Sequence, residues 1–587
     1  MTIHVRKGTA VDTPEKALTL LRSESEKRMV IHEGTYYGTS LVLTAEDSGL
    51  VIEGEGLPVL SGGVIADSWH VDEKTGWFYT DIPSKDGVLA DFRSLITTDR
   101  RYLKMARYPL EGSIAHETPL PSDVLWRGSV YGGWGRNFTT DELDNIIYTP
   151  GSVPDTLVTE NAYIQVFHSW NESFVRLREN DRVNHKFYLD PPCGHPPGAW
   201  KKAFAIYNTV EGMLEDGRWY LDSVSGKIWY RPLPGETPET FHVVVPMTES
   251  VIKLEGCENV TLRGISVTGA TSTVATYIFS VDETRGAGGF CALEQSAAVF
   301  GENVAGVTLD EVNVYNSGAT GIRLSGTDLH VKNCHAEKLG AAGISVKNCQ
   351  DIPGELITGD YSGWSAIENC TVSNIGLQYC SGPGIFTDRC MVRGCYISDT
   401  SYSGIVAYGD YIIIENNIVR NPMLTLVDGA AIYKLLDQGG IIRNNICVND
   451  VQREEMYAGL YLDAPGVDWQ MYGNVVRGFK LAMHNHIGNP GIVWRDNYFE
   501  YDGDMRMTCQ RSVGESLVNN VVVCKHLKFD APEEALARVE GNIVISQSDS
   551  ITWNVTAPER NKQKPCYDVL ETRELKEPTG VTIYVKA

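Results

Sequence analysis

The sequence predicts an all-β protein: a right-handed parallel β-helix (a solenoid) with an inserted β-sandwich-like domain. Three observations predict this fold: a repeat of 22 to 29 residues in the C-terminal half, no helical periodicity in that half, and an aromatic-rich stretch that interrupts the pattern. A unit this short cannot bury a core of its own, so successive units must stack as coils. A β-propeller is disfavoured because each of its blades needs about 40 residues.

The repeat is marked by an asparagine followed by apolar residues, as in ENNIV and RNNIC. The asparagines are Asn417, Asn445, Asn474, Asn497, Asn520 and Asn542. In earlier coils Cys334, Cys370 and Cys395 hold the same place. Asparagine tolerates left-handed backbone, and its amide can bond the equivalent residue of the next coil. We therefore expect a ladder of stacked side chains that stabilises the fold.

The pattern divides the chain into four regions. They are residues 1–65 (N-terminal cap and first coils), 66–247 (the inserted β-rich domain), 248–550 (the main β-helix) and 551–587 (a tail packing on the last coils). In the first region, Thr13 and Pro14 are typical of a helix start, which predicts a short helix in TPEKALTLLRSE. The inserted domain is indicated by long aromatic strands such as WYLDSVSGKIWY.

Composition excludes several functions. The net charge of -24 argues against coating of nucleic acid or of an anionic membrane, and it disfavours a polyanionic substrate unless a local basic patch reverses this. No window of eighteen apolar residues predicts a membrane span, and the first residues lack the apolar core of a signal peptide. We expect a cytoplasmic protein; the alternative is a secreted protein without its leader. No phosphate-binding, dinucleotide or HExxH motif is present, so we predict no cofactor and no metal.

Alternation along GLYLD places Leu460 and Leu462 inside and turns Tyr461 and Asp463 outward. Extended over the coils, this register predicts an outward column of Ser325, Lys347, Asp388, Tyr408, Leu435, Asp463 and Asn485. Asp428 precedes the strand of the coil before Asp463, which predicts a carboxyl separation on the order of 5–10 Å. Glycoside hydrolysis needs two carboxyl groups at such a distance, one protonated and one ionised. Ordinary turn chemistry is the alternative for both aspartates.

Other side chains are candidates for substrate contact. Asp388 and Tyr408 share the column of Asp463. Lys434, Trp469, His484 and His486 come from the same or neighbouring coils, and His168 and Trp170 belong to VFHSW in the inserted domain. Two histidines on one strand face also suit a metal, but no third ligand stands at a readable spacing. A structural role is the alternative for each of these residues.

The order of motifs resembles the β-helix glycosidases with an inserted β-sandwich, glycoside hydrolase family 141 first and family 120 second. The resemblance rests on RRYLKMARYP, VFHSWNESFVRL and DGRWYLDSVSGKIWYRPLPGE, and on SDTSYSGIVAYGD, VDGAAIY and AGLYLDAPGVDWQMYGNVV in the central coils. It implies that Asp428 and Asp463 are the catalytic pair. Two features depart from the pattern: Ala430 replaces the usual second glycine, and MHNHIGNP stands where family 120 places a glutamate.

These observations predict a glycoside hydrolase that cleaves short oligosaccharides, with exo action expected for a cytoplasmic enzyme. Two alternatives stay open. A uronic-acid lyase or epimerase would need arginine or lysine to neutralise the substrate carboxylate. A non-catalytic carbohydrate-binding or tailspike-like protein would keep the aromatic residues without the carboxyl pair. The flat faces of a solenoid are also suited to pairing in a homo-oligomer.

Overall fold

The computed structural model describes most of the 587-residue chain. The described residues are all except 125–135, 273–289, 294, 351–363, 452, 454–456, 464–465, 487–489, 511–512, 558–568 and 587. Within them, nearly every regular element is a β-strand. The helices are Pro14–Leu21 and Thr140–Leu143, with single 3-10 turns at Ala45–Asp47, Val210–Gly212, Phe290–Ala292 and Glu533–Ala535.

The predicted parallel β-helix is confirmed. Each coil contributes a front strand, a side strand after a tight corner, and a back strand, as in Ile385–Asp388, Met391–Arg393 and Tyr396–Thr400. Equivalent strands of successive coils pair in parallel and in register. The front and side strands form one 26-stranded sheet, and the back strands form a 14-stranded sheet.

The front strands are Leu41–Leu43, Ile252–Glu255, Ile344–Asn348, Ile385–Asp388, Ile405–Tyr408, Ala430–Leu435, Ala458–Asp463, Leu481–Asn485, Asp504–Cys509, His526–Ala531 and Ile551–Thr556. The side strands are Thr2–Val5, Arg28–His32, Val51–Glu55, Thr261–Arg263, Ala366–Glu368, Met391–Arg393, Ile413–Glu415, Gln438–Arg443, Val467–Tyr472, Val493–Arg495, Glu515–Val518 and Leu536–Glu540. Ala297–Asp310 and Thr320–Lys332 run through both positions, and Val569–Leu575 pairs antiparallel with the last front strand.

The back strands are Thr35–Tyr37, Val59–Ser61, Ser266–Thr268, Asn313–Ser317, His335–Leu339, Thr371–Ile375, Tyr396–Thr400, Ile418–Arg420, Ile446–Val448, Val475–Arg477, Tyr498–Glu500, Val521–Val523, Asn542–Ser546 and Val581–Val585. The loop from each back strand to the next front strand is the third corner of the coil. This corner carries Asp428, between Ile418–Arg420 and Ala430–Leu435.

The asparagine ladder is confirmed at atomic detail. Asn474 Oδ1 accepts from the backbone and side-chain nitrogens of Asn445 at 3.1 and 3.0 Å. The side-chain amide of Asn474 in turn donates to Asn497 Oδ1 and to the carbonyl of Ile442. Cys395 donates its backbone N–H to Asn417 Oδ1 at 2.9 Å, so the cysteine and asparagine columns are continuous. These bonds satisfy buried amides that would otherwise cost stability.

The predicted N-terminal helix is also confirmed. It covers Pro14–Leu21, and the Thr13 side chain caps it by accepting from the N–H of Lys16. Ala17, Leu18 and Leu21 are buried, so the helix covers the first coil with its apolar face. No helix in the described part of the chain is long and apolar enough to cross a membrane.

A second body of structure, which we call the insertion, spans residues 63–246. Its eight-stranded sheet contains Gly63–Ala66, His70–Val71, Phe78–Asp81, Leu95–Thr97, Tyr102–Met105, Arg218–Asp222, Lys227–Tyr230 and Val243–Pro246. Its seven-stranded sheet contains Arg107–Tyr108, Ile114–Ala115, Asn145–Ile147, Tyr163–Phe167, Glu172–Asp181, Lys186–Asp190 and Ala203–Tyr207. A short hairpin joins Ser84–Lys85 to Val88–Leu89. The first and last strands pair antiparallel, so the chain leaves and re-enters the β-helix at one place.

The insertion packs against the third corners of the central coils, and we call this contact the seam. Gln165 donates its side-chain amide to the carbonyl of Gln378 at 2.9 Å. Glu172 accepts from Cys380 Sγ at 2.9 Å and from Ser381 Oγ at 3.3 Å. The seam therefore joins residues more than two hundred positions apart in sequence, and it covers the edge of the corner that carries Asp428.

Candidate active site

The front strands present two adjoining outward columns. In the first, pairing aligns Lys347 with Asp388, and Asp388 with Tyr408; further along the solenoid Asp463 lies opposite Leu435. The second column runs through Phe386, Val406, Tyr433, Tyr461 and His484. Since neighbouring coils are about 4.8 Å apart, these side chains stack along the solenoid. The first column and His484 are at least partly exposed, whereas the other four members of the second column are 5% exposed or less.

The register of the last of these coils corrects the sequence prediction. Asn485 pairs with Leu462, and it is fully buried inside the solenoid rather than in the outward column. Its side-chain amide donates to Glu515 Oε1 at 2.6 Å, which explains how a polar residue can occupy a core position. His484 consequently faces outward beside Tyr461, and His486 stands next to Asp463.

Both carboxylate oxygens of Asp463 are hydrogen-bonded. The Tyr433 hydroxyl donates to Oδ2 at 2.7 Å, and His486 Nδ1 lies 2.7 Å from Oδ1. The Tyr461 hydroxyl lies 3.4 Å from His486 Nδ1. The Tyr461 ring packs edge-on against that of Tyr433, with 4.8 Å between the ring centroids. The Asp463 side chain keeps 17% of its surface exposed. The carboxylate is therefore fixed in direction and still open to a ligand.

The backbone of Asp428 is held from two sides. The backbone N–H groups of Val427 and Asp428 both donate to the carbonyl of Ser169 in the insertion at 3.1 Å. The Tyr402 hydroxyl donates to the carbonyl of Asp428 at 2.9 Å. Ser169 lies between His168 and Trp170, so the predicted segment does reach the site, through its backbone.

Two buried tyrosines connect the aspartates. Burial raises the pKa of Tyr433 well above its usual range, and the negative charges of Asp463 and Asp428 add to the shift. Burial likewise raises the pKa of Tyr402, with both carboxylates contributing again. Each tyrosine therefore lies within electrostatic reach of both aspartates.

The two aspartates are offset along neighbouring front strands. Asp463 lies opposite Leu435, at the far end of the strand that Asp428 precedes. This is the order along the strand that the sequence predicts. Besides burial, the charges of both carboxylates raise the pKa of Tyr402 and of Tyr433.

Asp388 and Tyr408 extend the outward surface by further coils. The Asp388 side chain is largely buried, and this burial raises the pKa of its carboxyl, while the charges of Arg389 and Lys347 oppose the shift. The Tyr408 ring lies 5.6 Å from that of Phe386. At the other end of the site, burial lowers the pKa of His484 well below its ordinary value, with the charge of His486 adding to the effect.

Three residues predicted as substrate contacts are buried. Lys434 lies inside the corner after the front strand, where its ammonium group donates to the carbonyls of Leu435 and Leu436 at 2.9 and 2.8 Å. It also bonds Asp437 at 3.2 Å, and burial lowers its pKa to about 8. The structure places Lys434 in a stabilising role, and we leave it out of the surface that meets substrate.

Trp469 and His168 are likewise fully buried. The Trp469 ring lies 5.0 Å from the Lys434 ammonium, inside the same corner, so it cannot wall a sugar subsite. His168 is enclosed in the insertion, where Nε2 lies 3.2 Å from Ser173 Oγ and burial holds its pKa well below the ordinary value. Trp170 is only partly buried and meets Trp200 edge-on at 4.3 Å.

Sequence reasoning gave no role to four contributors: Tyr402, Tyr433, Ser169 and Glu172. The two tyrosines occur in quoted motifs, SYSG and AAIY, but nothing in those motifs distinguishes a buried hydroxyl that bonds an aspartate from ordinary core packing. Ser169 and Glu172 act across the seam, so only the folded structure could reveal them. Among the described residues, no group of three or more histidine, cysteine, aspartate or glutamate side chains is arranged to hold a metal ion.

Comparisons with known proteins add the following. No protein-family model matches the chain, and no curated protein matches it. The chain is similar in structure to a glycoside hydrolase, with a TM-score of 0.60 and 16% sequence identity over 84% of this chain and 96% of the other. Weaker matches are XylC in complex with xylose (TM-score 0.45, 12% identity, 94% and 89% coverage) and the tailspike of Pseudomonas phage phi297 (0.28, 10%, 93% and 79%).

The first match shows that this chain shares its overall fold with a glycoside hydrolase. At TM-scores below 0.5 the other two carry no further weight. The match concerns the fold, and the chemistry of the outward surface depends on its own residues.

Proposed function

We propose that the protein is a glycoside hydrolase that cleaves short oligosaccharides, with Asp428 and Asp463 as its two carboxyl groups. The observation that carries the proposal is that two buried tyrosines bond the two aspartates: the Tyr402 hydroxyl donates to the Asp428 carbonyl, and the Tyr433 hydroxyl donates to the Asp463 carboxylate. Hydrolysis of a glycosidic bond requires one carboxyl group to protonate the leaving oxygen and a second to act as base or nucleophile. The resemblance of VDGAAIY and AGLYLD to family 141 points to the same two residues.

The surrounding residues suit a sugar ligand. Tyr461, His484 and His486 continue the surface beyond Asp463, and Tyr408 and Asp388 continue it in the other direction. Hydroxyl, imidazole and carboxylate groups bond sugar hydroxyls, and aromatic rings cover the apolar face of a sugar ring. We assign Asp388, Tyr408, His484 and His486, with Trp170 from the insertion, to substrate contact. Tyr461 is only 4% exposed and packs against the two histidines.

The finer proposal is exo action. The insertion reaches Asp428 through the carbonyl of Ser169, so it closes one side of the front strands beside the proposed catalytic group. A surface closed on one side suits the end of a short chain better than the middle of a polymer. This arrangement supports release of one terminal sugar.

The test is a screen of purified protein on nitrophenyl glycosides and a panel of oligosaccharides, with Asp428→Asn and Asp463→Asn alongside. Loss of one carboxyl function should lower kcat by about a thousandfold or more. Asp468→Asn is the matched control, because Asp468 is exposed, lies five residues after Asp463 and should keep full activity. Full activity of both site variants would refute the assignment.

The same variants separate the two roles. The variant that lacks the acid should keep most activity on nitrophenyl substrates, whose leaving group needs little protonation, and lose it on oligosaccharides. The variant that lacks the base or nucleophile should lose both. Formation of unsaturated uronic products would instead identify a lyase.

A further inference from the structure

A cavity of about 770 Å³ opens along the seam. The insertion contributes residues 102–105 and 110–113 together with Arg107, Phe167, Lys201 and Tyr207, and the third corners of the β-helix contribute Leu377, Gln378, Leu424 and Thr425. Its volume falls within the range of about 300–1,000 Å³ that is usual for small-molecule sites. The site proposed above does not use it, since neither Asp428 nor Asp463 lines it.

The lining is strongly basic. Seven cationic side chains face the cavity: Arg93, Lys104, Arg107, Lys201, Arg218, Lys338 and Arg453. Glu111 is the one carboxylate in the same lining among the described residues. This concentration of positive charge stands out on a chain whose net charge is -24. A concave basic surface with low-dielectric walls concentrates anions.

Five of the seven cations are already engaged. Carboxylates outside the lining neutralise three of them, in the pairs Arg93–Asp91, Arg218–Glu215 and Lys338–Glu337. Arg107 donates to the Tyr207 hydroxyl at 2.9 Å and to the carbonyl of Pro109 at 2.6 Å. Arg453 donates to the carbonyls of Met423, Thr425 and Leu426. These five side chains build the walls.

Lys104 and Lys201 differ from the other five. Within the described part of the chain, neither has a carboxylate at ion-pair distance. Lys104 is exposed on the strand Tyr102–Met105, and Lys201 is half-buried, with its ammonium group 5.9 Å from the Phe167 ring. An ammonium group without a counter-charge in a partly enclosed cavity is suited to bind an anion.

We propose that this cavity binds a small anionic ligand through Lys104 and Lys201. The ligand carries a carboxylate, phosphate or sulfate group and has the size of one or two sugar rings. Leu110, Leu377 and Leu424 supply apolar surface for the uncharged part of such a molecule. The inference does not depend on the glycosidase assignment, because it concerns a different set of residues.

The cavity also borders the segment that carries Asp428. Leu424 and Thr425 line it, Arg453 holds the carbonyls of this segment, and Phe167 lies two residues before the Ser169 carbonyl that bonds Asp428. A ligand in the cavity therefore contacts the same corner.

Isothermal titration at low salt tests the proposal, with glucuronate and glucose 6-phosphate as probes and glucose as the uncharged control. Both anions should bind, glucose should bind far more weakly, and added salt should weaken the anions. Replacing both lysines, as Lys104→Ser with Lys201→Ser, should raise the Kd by about tenfold or more. Lys202→Ser is the matched control, because Lys202 is adjacent, exposed and outside the lining.

Thermal melting of each variant checks that the fold is retained. Asp463→Asn should leave anion binding unchanged, which separates this site from the proposed catalytic one. Three results would overturn the inference: binding of neither anion, equal binding of anions and glucose, or equal anion affinity in the wild type and the double variant.

Discussion

Replacing Glu172 by glutamine tests the physical basis of the seam. Glu172 is 4% exposed, and its carboxyl group contacts Cys380 and Ser381 across the seam. Burial raises its pKa from 4.5 to about 7, and the hydrogen bonds from Cys380 and Ser381 only partly offset this effect. The folded protein therefore holds this proton over a pH range in which the unfolded chain has released it.

The direction of the pH dependence follows from that difference. The contribution of Glu172 to the free energy of unfolding is largest below pH 4.5 and falls as the pH rises to about 7. A shift from 4.5 to about 7 corresponds to about 3 kcal/mol. Glutamine resembles the protonated acid in shape and cannot ionise, so Glu172→Gln should lack this component.

The assay is denaturant unfolding of wild type and variant from pH 5 to pH 8, followed by tryptophan fluorescence. The variant should gain on the wild type by about 2.5 kcal/mol across that range, since part of the effect lies below pH 5. Glu179→Gln is the matched control, because Glu179 is an exposed glutamate on the same strand and should track the wild type. A constant difference between wild type and Glu172→Gln at every pH would refute the reasoning.

Two further predictions concern the solenoid and its corner. Asn474→Ala removes the hydrogen bonds to Asn445, Asn497 and the Ile442 carbonyl in the middle of the ladder. We therefore expect the free energy of unfolding to fall by about 3 kcal/mol or more. A loss below about 1 kcal/mol would contradict a stabilising ladder. Gly429→Ala would place a methyl group 2.6 Å from Ser403 Oγ and 2.8 Å from the Tyr402 ring, next to Asp428. It should lower glycosidase activity by about tenfold or more while leaving a folded protein, and unchanged kcat would argue against a tightly fixed Asp428.

The periodic part of the fold could be predicted from the sequence because successive coils place a buried asparagine at the same position. A buried asparagine must bond its neighbours, so its spacing reports the coil length directly. Alternation failed at Asn485, which it places outside although the side chain is satisfied inside the solenoid by Glu515. Lys434 is a different case: alternation places it inside, where it bonds the carbonyls of its own corner, and the prediction of substrate contact went against that pattern.

The candidate site could be predicted only in outline. Asp428 and Asp463 lie on successive coils, as their motifs suggested, but their contacts depend on partners that no local pattern identifies. Ser169 is 259 positions before Asp428, and no spacing rule connects an insertion to a particular corner of a solenoid. The cationic cavity could not be predicted for the same reason, since Lys104 and Lys201 are 97 residues apart.

The pairing of Gly63 with Pro246 has an evolutionary consequence. Because the insertion departs from and returns to one point of the coil, a different body could replace it without altering the path of the solenoid on either side. Such an exchange would keep Asp463, which the coils alone position, and would change the carbonyl that holds Asp428. Specificity in proteins with this fold could therefore evolve by exchange of the inserted domain. The β-helix would keep one aspartate in place, and the new domain would supply the surroundings of the other.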